Sequence, residues 1–288
     1  MSLKNIEKSF VKDLEVLYPE NEARQIWYLA VENLTGFDLR TNRSQRFNPD
    51  PCMLNMLEAI KKRLLKAEPI QYILNEAWFY DIPLFVNKQV LIPRPETEEL
   101  VELIIREYQS LPPVRILDIG TGSGCIPVTL KRKLPEAIVT ACDISSNALA
   151  VARKNAAKYQ LDIRFIEIDF LEETNWTQLP RVEVLVSNPP YIPVADKTSM
   201  HKNVLDHEPE LALFVPDEEP LLFYRKIADA AQSILVPEGQ IYLEVHERLA
   251  EETRQLFEAR GFFAWIKTDM QGKQRFVVAR FAGDTDRL

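Results

Sequence analysis

Apolar residues in the first part of the chain recur every three or four positions, which is the period of an amphipathic helix. The first run with this spacing consists of Ile6, Phe10, Leu14 and Leu17. A second run, Ile26–Leu34, ends near Gly36, a residue type that often terminates helices. A third helix is predicted over Met53–Lys66, after the polar, proline-containing loop Arg40–Pro51. We therefore predict that residues 1 to about 66 form a small helical bundle.

The pattern changes between residues 70 and 92, where aromatic and β-branched side chains are concentrated. These strand formers are Tyr72, Ile73, Trp78, Phe79, Tyr80, Ile82, Leu84, Phe85 and Val86. Turn candidates are Asn75-Glu76 and Asn87-Lys88. Strand formers separated by turn residues are typical of a hairpin, so we predict a β-hairpin linker. The proline-rich segment Leu91–Glu98 then leads into a helix predicted from about Glu96 to Tyr108.

From residue 114 onward, short apolar runs alternate with amphipathic helical runs. The strand candidates are Val114–Asp118, Ile138–Asp143, Ile163–Glu167, Val182–Ser187, Gln240–Val245, Phe262–Thr268 and Arg275–Phe281. The helix candidates are Cys125–Lys133, Ser146–Tyr159, Pro220–Leu235 and Ala250–Arg260. This alternation predicts an α/β fold with a mostly parallel, Rossmann-like sheet covered by helices on both faces. The last two strands are joined by too few residues for a crossover helix, so we expect them to pair antiparallel.

Composition and charge narrow the class of protein. The chain is 46% hydrophobic and 27% charged, which is typical of a soluble globular protein with a full core. Its formal net charge is −8, which argues against nonspecific nucleic-acid binding and is compatible with a basic partner. No apolar run approaches the roughly 18 residues of a membrane span. No signal peptide is evident at the N-terminus.

The cysteines and histidines do not indicate a metal site. Cys52, Cys125 and Cys142 are unclustered, so neither a disulfide framework nor a zinc site is expected. The three histidines form no spaced metal motif. We expect a protein of the reducing cytoplasm that requires no metal.

A glycine-rich turn follows the first strand of the predicted sheet. Gly120, Gly122 and Gly124 come directly after the apolar run that ends at Asp118. Glycines allow positive φ angles and let a ligand approach the backbone closely. The dinucleotide fingerprint requires its third glycine where this chain has Cys125. The spacing is more usual for S-adenosylmethionine, which has no pyrophosphate; a tight turn without a ligand is the alternative interpretation.

Two further strand ends carry candidate cofactor contacts. Asp143 ends the second strand of this sheet, at the edge where ligands of such sheets bind. Its carboxylate can accept hydrogen bonds from both ribose hydroxyls, although capping of the helix that starts at Ser146 is an alternative role. Phe170 follows the third strand. Its ring can pack on adenine or on the protein's own core.

The segment Asn188-Pro189-Pro190-Tyr191 follows the fourth strand. Two prolines fix φ and supply no backbone N–H, so neither a strand nor a helix continues there. The resulting stiff corner presents an amide, backbone carbonyls and an aromatic ring, a set that can grip a planar group bearing an NH₂. The Asn188 side-chain oxygen and the Pro189 carbonyl can accept its two hydrogens, while Tyr191 can pack on its plane. With the glycine-rich turn, this corner predicts methyl transfer to a planar amino or amide nitrogen; an ordinary proline turn is the alternative.

The chain resembles the protein-(glutamine-N5) methyltransferases of peptide chain release factors, the PrmC/HemK family. The resemblance covers most of the chain and is carried by Pro69–Ile73, Val90–Glu98, Leu117–Gly124, Ser187–Ile192, and Glu208-Pro209 with Ala212-Leu213-Phe214. The Pro-Arg-Pro-Glu-Thr-Glu part, residues 93–98, is the most specific. Asn75 stands where a glycine is usual, Phe170 where relatives carry Trp, and Pro216-Asp217 replaces a glycine pair.

This resemblance implies an architecture and a set of contacts. It implies a class I methyltransferase domain over residues 93–288, preceded by a helical domain over 1–69 and the hairpin linker over 70–92. It implies S-adenosylmethionine as cofactor, with S-adenosyl-L-homocysteine as product. The implied cofactor contacts are Gly120, Thr121, Gly122, Ser123, Gly124, Asp143, Phe170 and Asn188. The implied catalytic residues are Asn188, Pro189 and Tyr191, which with Pro190 hold the glutamine of the release factor's Gly-Gly-Gln motif.

The resemblance also implies the protein's partners. Release factors are the expected protein substrates, with no direct nucleic-acid or membrane partner, and we expect a monomer because an open cleft suits a protein substrate. The helical domain either docks the release factor or only stabilises the fold. One competing reading is an adenine-N6 methyltransferase, since the same corner suits a flipped base, but that predicts a basic groove. Another is a non-catalytic translation-associated binding protein, which predicts a damaged glycine turn or corner. The sequence leaves open which release factor is preferred and whether other proteins are substrates.

Overall fold

The computed structural model describes residues 3–37 and 49–283 of the chain. Within them, chain contacts define two compact units. One comprises the residues up to Glu76 together with Met200–His207, and the other comprises Ala77–Ser199 together with the residues from Glu208 on. Most of the predicted loop Arg40–Pro51 lies outside the described residues. The domain boundaries predicted at residues 69 and 92 stay a prediction.

The helices are α1 (Leu3–Leu14), α2 (Glu20–Thr35), α3 (Pro51–Leu64), α4 (Ile70–Leu74), α5 (Pro95–Tyr108), α6 (Cys125–Lys133), α7 (Ser146–Lys158), α8 (Lys202–Leu205), α9 (Leu222–Ile234) and α10 (Ala250–Glu258). The strands are β1 (Ala77–Phe79), β2 (Ile82–Leu84), β3 (Arg115–Ile119), β4 (Ile138–Asp143), β5 (Ile163–Glu167), β6 (Val182–Ser187), β7 (Ile192–Pro193), β8 (Phe214–Val215), β9 (Leu235–Glu244), β10 (Phe262–Thr268) and β11 (Gln274–Phe281).

The first unit is helical, as the apolar spacing predicted. Phe10 and Leu14 of α1 are buried in its core, but Leu17 lies beyond the end of the helix and is exposed. Gly36 ends α2 with a left-handed φ of 73°, the usual glycine C-cap. Helix α3 begins two residues before the predicted start, because Pro51 occupies the first helical position and the Asp50 side chain accepts a hydrogen bond from the Met53 amide.

The predicted hairpin is present, but it is shorter than the sequence indicated. Strands β1 and β2 pair antiparallel, and the turn between them is Tyr80-Asp81, with φ of 48° and 62°. Two successive positive φ angles are those of a type I′ turn, which suits a two-residue hairpin loop. Ile70–Leu74 forms helix α4 rather than a strand, and Asn75 ends it with a φ of 54°. The usual glycine at this position is therefore explained by a left-handed helix end, a conformation that Asn also tolerates.

The second unit is organised around a seven-stranded sheet of order β10-β11-β9-β6-β3-β4-β5. Strand pairs β3–β4, β3–β6, β4–β5 and β6–β9 are parallel, whereas β11 is antiparallel to both β9 and β10. This arrangement confirms the predicted mostly parallel sheet with one antiparallel strand near its end.

Adjacent residues of the central strands enter different hydrophobic clusters. Ile116 and Val184 belong to a cluster that includes residues of α5 and α6. Leu117 and Leu185 belong to a cluster that includes residues of α9 and α10. Because successive side chains of a strand point to opposite faces, the two clusters lie on opposite sides of the sheet, and helices cover both sides. This double burial explains why the central strands are mostly apolar.

Register places the ends of three parallel strands at one edge. Ile119 at the end of β3 pairs with Cys142 of β4 and with Ser187 of β6. The next residues along the chain, Gly120, Asp143 and Asn188, therefore lie side by side at this edge. In open α/β sheets, ligands bind where the strand order reverses. At that point the chain continues from one of two neighbouring strands toward one side of the sheet, and from the other toward the opposite side.

Candidate active site

The glycine turn after β3 combines an open part and a packed part. Gly120 and Gly122 have φ of 73° and 53°, and a Cβ added to either would meet no atom within 4 Å. Gly124 has a φ of 78°, and its added Cβ would lie 3.0 Å from the Ala152 Cβ. The first two glycines thus leave space for a ligand, whereas the third allows α6 and α7 to pack closely.

Asp143 is held by the turn that it faces. Its Oδ2 accepts a hydrogen bond from the Gly122 amide at 2.9 Å, and its Oδ1 accepts one from the Ser145 amide at 2.9 Å. Burial raises the pKa of this carboxyl. The N-cap of α7 is Ser145, whose hydroxyl accepts a hydrogen bond from the Ala148 amide. Asp143 is therefore fixed by backbone amides and keeps lone pairs for a ligand.

One cavity of about 340 Å³ lies at this edge of the sheet. The site residues predicted from the sequence that line it are Gly120, Gly122, Asp143, Phe170, Asn188, Pro189 and Pro190. Four others, Thr121, Ser123, Gly124 and Tyr191, are not among its lining residues. The proline corner and the glycine turn, 68 residues apart from Gly120 to Asn188, thus share a single cavity.

Phe170 fits both interpretations made from the sequence. It lines the cavity and is also buried in the core cluster around α9. Its ring lies 5.8 Å from that of Trp176, whose indole N–H donates to the Phe170 carbonyl. The ring is therefore a fixed wall of the cavity rather than a mobile cover.

The proline corner is anchored to buried groups behind the cavity. Asn188 Nδ2 donates a hydrogen bond to Thr97 Oγ1 at 3.0 Å. The Tyr191 hydroxyl donates to Glu244 Oε1 at 3.3 Å, and burial raises the pKa of this tyrosine. The Tyr191 ring meets His246 edge-on, with 6.0 Å between ring centroids.

Comparison with known proteins places the chain in a family. Residues 97–209 match the family model of the methyltransferase small domain. A release factor glutamine methyltransferase of Flavobacterium psychrophilum is 42% identical, with 98% of this chain and 100% of the relative covered. One of Bacteroides thetaiotaomicron is 41% identical, with 93% of this chain and 96% of the relative covered. The chain belongs to the release factor glutamine methyltransferase family. The resemblance carried by its motifs is thereby confirmed.

The fold is also that of solved methyltransferases. A methyltransferase from Pyrococcus furiosus superimposes with a TM-score of 0.50 at 16% identity, over 78% of this chain and 99% of that one. At this identity the likeness concerns the fold alone, and it agrees with the class I architecture.

Three buried residues of this family member were not identified as site residues from the sequence. Asp118 is fully buried, and burial raises its pKa to about 7 against the lowering influence of the Thr121 hydroxyl. Thr97 and Glu244 are each 2% exposed and lie behind Asn188. Asp118 and Glu244 had a signal that could have been used, since each is an acidic residue that follows a run of apolar residues near the end of a strand.

Other observations bear on metals and membranes. Among the described residues, no group of three or more His, Cys, Asp or Glu side chains is arranged to hold a metal ion. Over the same residues, no helix has the length and apolar character needed to cross a membrane.

Proposed function

We propose that this protein transfers a methyl group from S-adenosylmethionine to the side-chain amide nitrogen, N5, of a glutamine in peptide chain release factors. The acceptor is the glutamine of their Gly-Gly-Gln motif. The observation that carries the proposal is the single cavity lined by Gly120, Asp143 and Asn188. Close relatives named release factor glutamine methyltransferases support the same substrate.

The cavity suits a nucleoside with an attached amino-acid chain. Its volume lies in the range of small-molecule sites, roughly 300–1,000 Å³. We assign the ribose to Asp143, whose oxygens remain able to accept hydroxyl hydrogens, and the adenine to the wall formed by Phe170. Gly120 and Gly122 leave room for the remaining part of the ligand. When bound, S-adenosylmethionine supplies a methyl group on a positively charged sulfur, which departs as a neutral thioether.

The proline corner orients the amide nitrogen of the substrate glutamine, which is a poor nucleophile. An amide nitrogen shares its lone pair with the carbonyl, so its N–H₂ group must be gripped to direct that pair at the methyl carbon. Thr97 engages Asn188 Nδ2, which leaves Asn188 Oδ1 and the Pro189 carbonyl to accept the two amide hydrogens. These acceptors stabilise positive charge that develops on nitrogen as the N–C bond forms and the S–C bond breaks. One amide proton then leaves to solvent, so no protein base is required.

Positioning supplies the remaining acceleration. Holding two reactants in line within one cavity replaces a bimolecular encounter by an effectively unimolecular step. The stiffness of two successive prolines serves this purpose, since it removes backbone freedom from the acceptor side.

The test is methyl transfer to an intact release factor, to the same factor with its Gly-Gly-Gln glutamine replaced by Ala, and to oligonucleotides. We expect methylation of the first substrate alone. Methylation of oligonucleotides instead would favour an adenine-N6 activity. Asn188→Ala should lower turnover by about 10² or more, as loss of one preorganised polar contact does, while binding of S-adenosylmethionine persists in titration calorimetry. Turnover close to that of the wild type would refute the role given to Asn188.

The finer partner assignments are part of the same proposal. We propose a cytoplasmic monomer without a metal and without a nucleic-acid or membrane partner. The helical first unit is assigned to docking of the release factor, whose RNA-facing surface is expected to be basic and would suit this acidic chain. The test is to delete residues 1–69 and to measure affinity for release factor in a variant that still binds S-adenosylmethionine. Unchanged affinity would show that the first unit only stabilises the fold.

A further inference from the structure

Behind the proline corner lies a chain of buried hydrogen bonds that the proposed reaction does not use directly. Asn188 Nδ2 donates to Thr97 Oγ1 at 3.0 Å, and Thr97 Oγ1 donates to Glu244 Oε2 at 2.7 Å. Glu244 Oε1 accepts from the Tyr191 hydroxyl. Thr97 and Glu244 are almost completely buried, and neither is among the residues that line the cavity.

The order of donors in this chain is dictated by chemistry. An ionised carboxylate only accepts hydrogen bonds. Thr97 must therefore give its single hydroxyl hydrogen to Glu244, and its oxygen can then only accept from Asn188. The side of the Asn188 amide that faces Thr97 must accordingly be the NH₂ group, which turns Oδ1 the other way. Without this constraint, shape alone would hardly distinguish the two orientations of the Asn188 amide, which differ only by exchange of Oδ1 and Nδ2.

We propose that Thr97 and Glu244 are positioning residues that set the orientation of the Asn188 amide, so that Oδ1 faces the acceptor nitrogen. This inference rests on the function proposed for Asn188. The same carboxylate also holds Tyr191, so both ends of the corner are tied to one buried group. An inverted Asn188 amide would present its NH₂ group to the substrate's NH₂ group, and the grip on the acceptor would be lost.

The device depends on the charge of Glu244. Burial raises the pKa of Glu244 to about 7, opposed by Thr97, by Arg275 of β11 and by Tyr191, and assisted by Glu96 of α5. The Tyr224 hydroxyl on α9 donates to the backbone carbonyl of Glu244 instead. A protonated Glu244 can itself donate to Thr97, whose hydroxyl is then free to donate to Asn188 Oδ1. Turnover should therefore be present above this pKa and decline as the pH falls through it.

Two cofactor-side carboxyls also have raised pKa values, and their effects must be distinguished from that of Glu244. Burial raises the pKa of Asp118 to about 7 and also raises that of Asp143. Both lie on the glycine-turn side, so their protonation should act on cofactor affinity. Turnover is therefore measured at saturating S-adenosylmethionine and saturating release factor.

The experiment compares Thr97→Val, Thr97→Ser and Glu244→Gln over pH 5.5–9, a range of about 1.5–2 units on either side of the Glu244 pKa. Thr97→Val keeps the shape but removes the hydroxyl. We expect turnover at high pH to fall roughly tenfold, the effect of one hydrogen bond, with unchanged affinity for S-adenosylmethionine. Thr97→Ser should regain most of that loss. Glu244→Gln should remove the acid limb of the turnover profile, and adding it to Thr97→Val should cause little further loss, because the two residues act as a unit.

Thr253→Val is a matched control, because Thr253 in α10 is fully buried and its hydroxyl has no hydrogen-bond partner among the described residues. It should leave turnover unchanged. Thr97→Val with wild-type turnover would overturn the inference. Equal impairment of Thr97→Val and Thr97→Ser would also overturn it, since packing rather than the hydroxyl would then matter. An acid limb that persists in Glu244→Gln would remove the role of the carboxylate. Absence of methylation by the wild-type enzyme would refute the proposed function instead.

Discussion

Asn155 joins the hairpin linker to the glycine turn, and its removal should be costly. Its Oδ1 accepts from the Phe85 amide at 2.7 Å, and its Nδ2 donates to the carbonyls of Phe85 and Ser123, each at 2.9 Å. The side chain is fully buried. Each such bond contributes about 1 kcal/mol, so the three bonds lost in Asn155→Ala correspond to about 3 kcal/mol of unfolding free energy.

A second asparagine provides the matched control. Asn175 makes one side-chain hydrogen bond to the backbone, from Nδ2 to the Asp169 carbonyl at 2.9 Å, and its Oδ1 accepts a solvent-exposed bond from Gln178 Nε2 at 3.1 Å. The exposed bond contributes little, because water replaces it when it is lost. Asn175→Ala should therefore cost about 1 kcal/mol, a third of the loss in Asn155→Ala. Because Ser123 belongs to the glycine turn, Asn155→Ala should also weaken binding of S-adenosylmethionine, whose dissociation constant can be measured by titration calorimetry.

The assay is urea unfolding followed by tryptophan fluorescence in a Trp27→Phe background. The chain has four tryptophans, and the remaining three, Trp78, Trp176 and Trp265, lie in the second unit. The signal then reports the unit that contains Asn155, which avoids mixing the transitions of two units. A loss below about 1 kcal/mol, or equal losses in the two alanine variants, would show that the three-bond count does not govern stability here.

Three further outcomes follow from single residues. Asp143→Asn should weaken S-adenosylmethionine binding at least about tenfold, the effect of losing one hydrogen bond to a charged group. In the wild type, calorimetry should show that this affinity declines as the pH falls. The decline should begin at a higher pH than it would for an exposed Asp. Asn75→Ala should lower unfolding free energy by about 1 kcal/mol, because its φ of 54° disfavours a side chain that cannot hydrogen-bond locally, whereas Asn75→Gly should not. Glu244 binds its proton more tightly when folded, with a pKa of about 7, so its contribution to stability is lost as the pH rises through that value. Glu244→Gln should therefore gain stability relative to the wild type between pH 5 and pH 8, as urea midpoints would reveal.

The strands were predictable because short runs of apolar and β-branched residues mark them, most clearly in the centre of the sheet, where both faces are buried. Ile138–Asp143, Ile163–Glu167, Val182–Ser187 and Phe262–Thr268 form strands with the predicted bounds. Strand β9 differs, since it begins at Leu235 rather than at Gln240. Pro237 and Gly239 resemble turn residues in the sequence. In the structure they lie where the register with β6 shifts, and a Cβ on Gly239 would come within 3.0 Å of the Glu183 carbonyl.

Short elements were harder to predict, for a physical reason. Helix α4 has five residues, so no helical period can be recognised in it, and its Ile and Tyr side chains favour strands when considered alone. The position of the hairpin turn depended on positive φ angles at Tyr80 and Asp81; tyrosine rarely adopts them, and aspartate does so less readily than glycine. Tertiary packing decided both cases.

The candidate site was predictable where a special residue type or a position at a strand end indicates it; Asp143 and Phe170 are examples of the latter. Glycines and prolines mark Gly120, Gly122 and the corner after Ser187 directly in the sequence. The partners of the Asn188 side chain could not be predicted in this way. Thr97 lies 91 residues from Asn188 and 147 from Glu244. Their contact depends on how α5 packs near the ends of β6 and β9, which no local pattern encodes.

The fold explains what the Pro-Arg-Pro-Glu-Thr-Glu segment does for the site, although the segment belongs to neither the glycine turn nor the proline corner. Pro95 fixes the first residue of α5, so Arg94 remains extended before the helix while Thr97 falls in its first turn. Arg94 Nη2 pairs with Glu208 Oε1 at 2.6 Å, and the Ile92 amide donates to Glu208 Oε2. Glu208 precedes Pro209, which lines the cavity. Within six residues, the segment therefore fixes one wall of the cavity through Arg94 and the side-chain amide of Asn188 through Thr97. A lysine at position 94 would keep the charge, and a valine at position 97 would keep the shape. Each would nevertheless lose the directed hydrogen bond on which its connection depends.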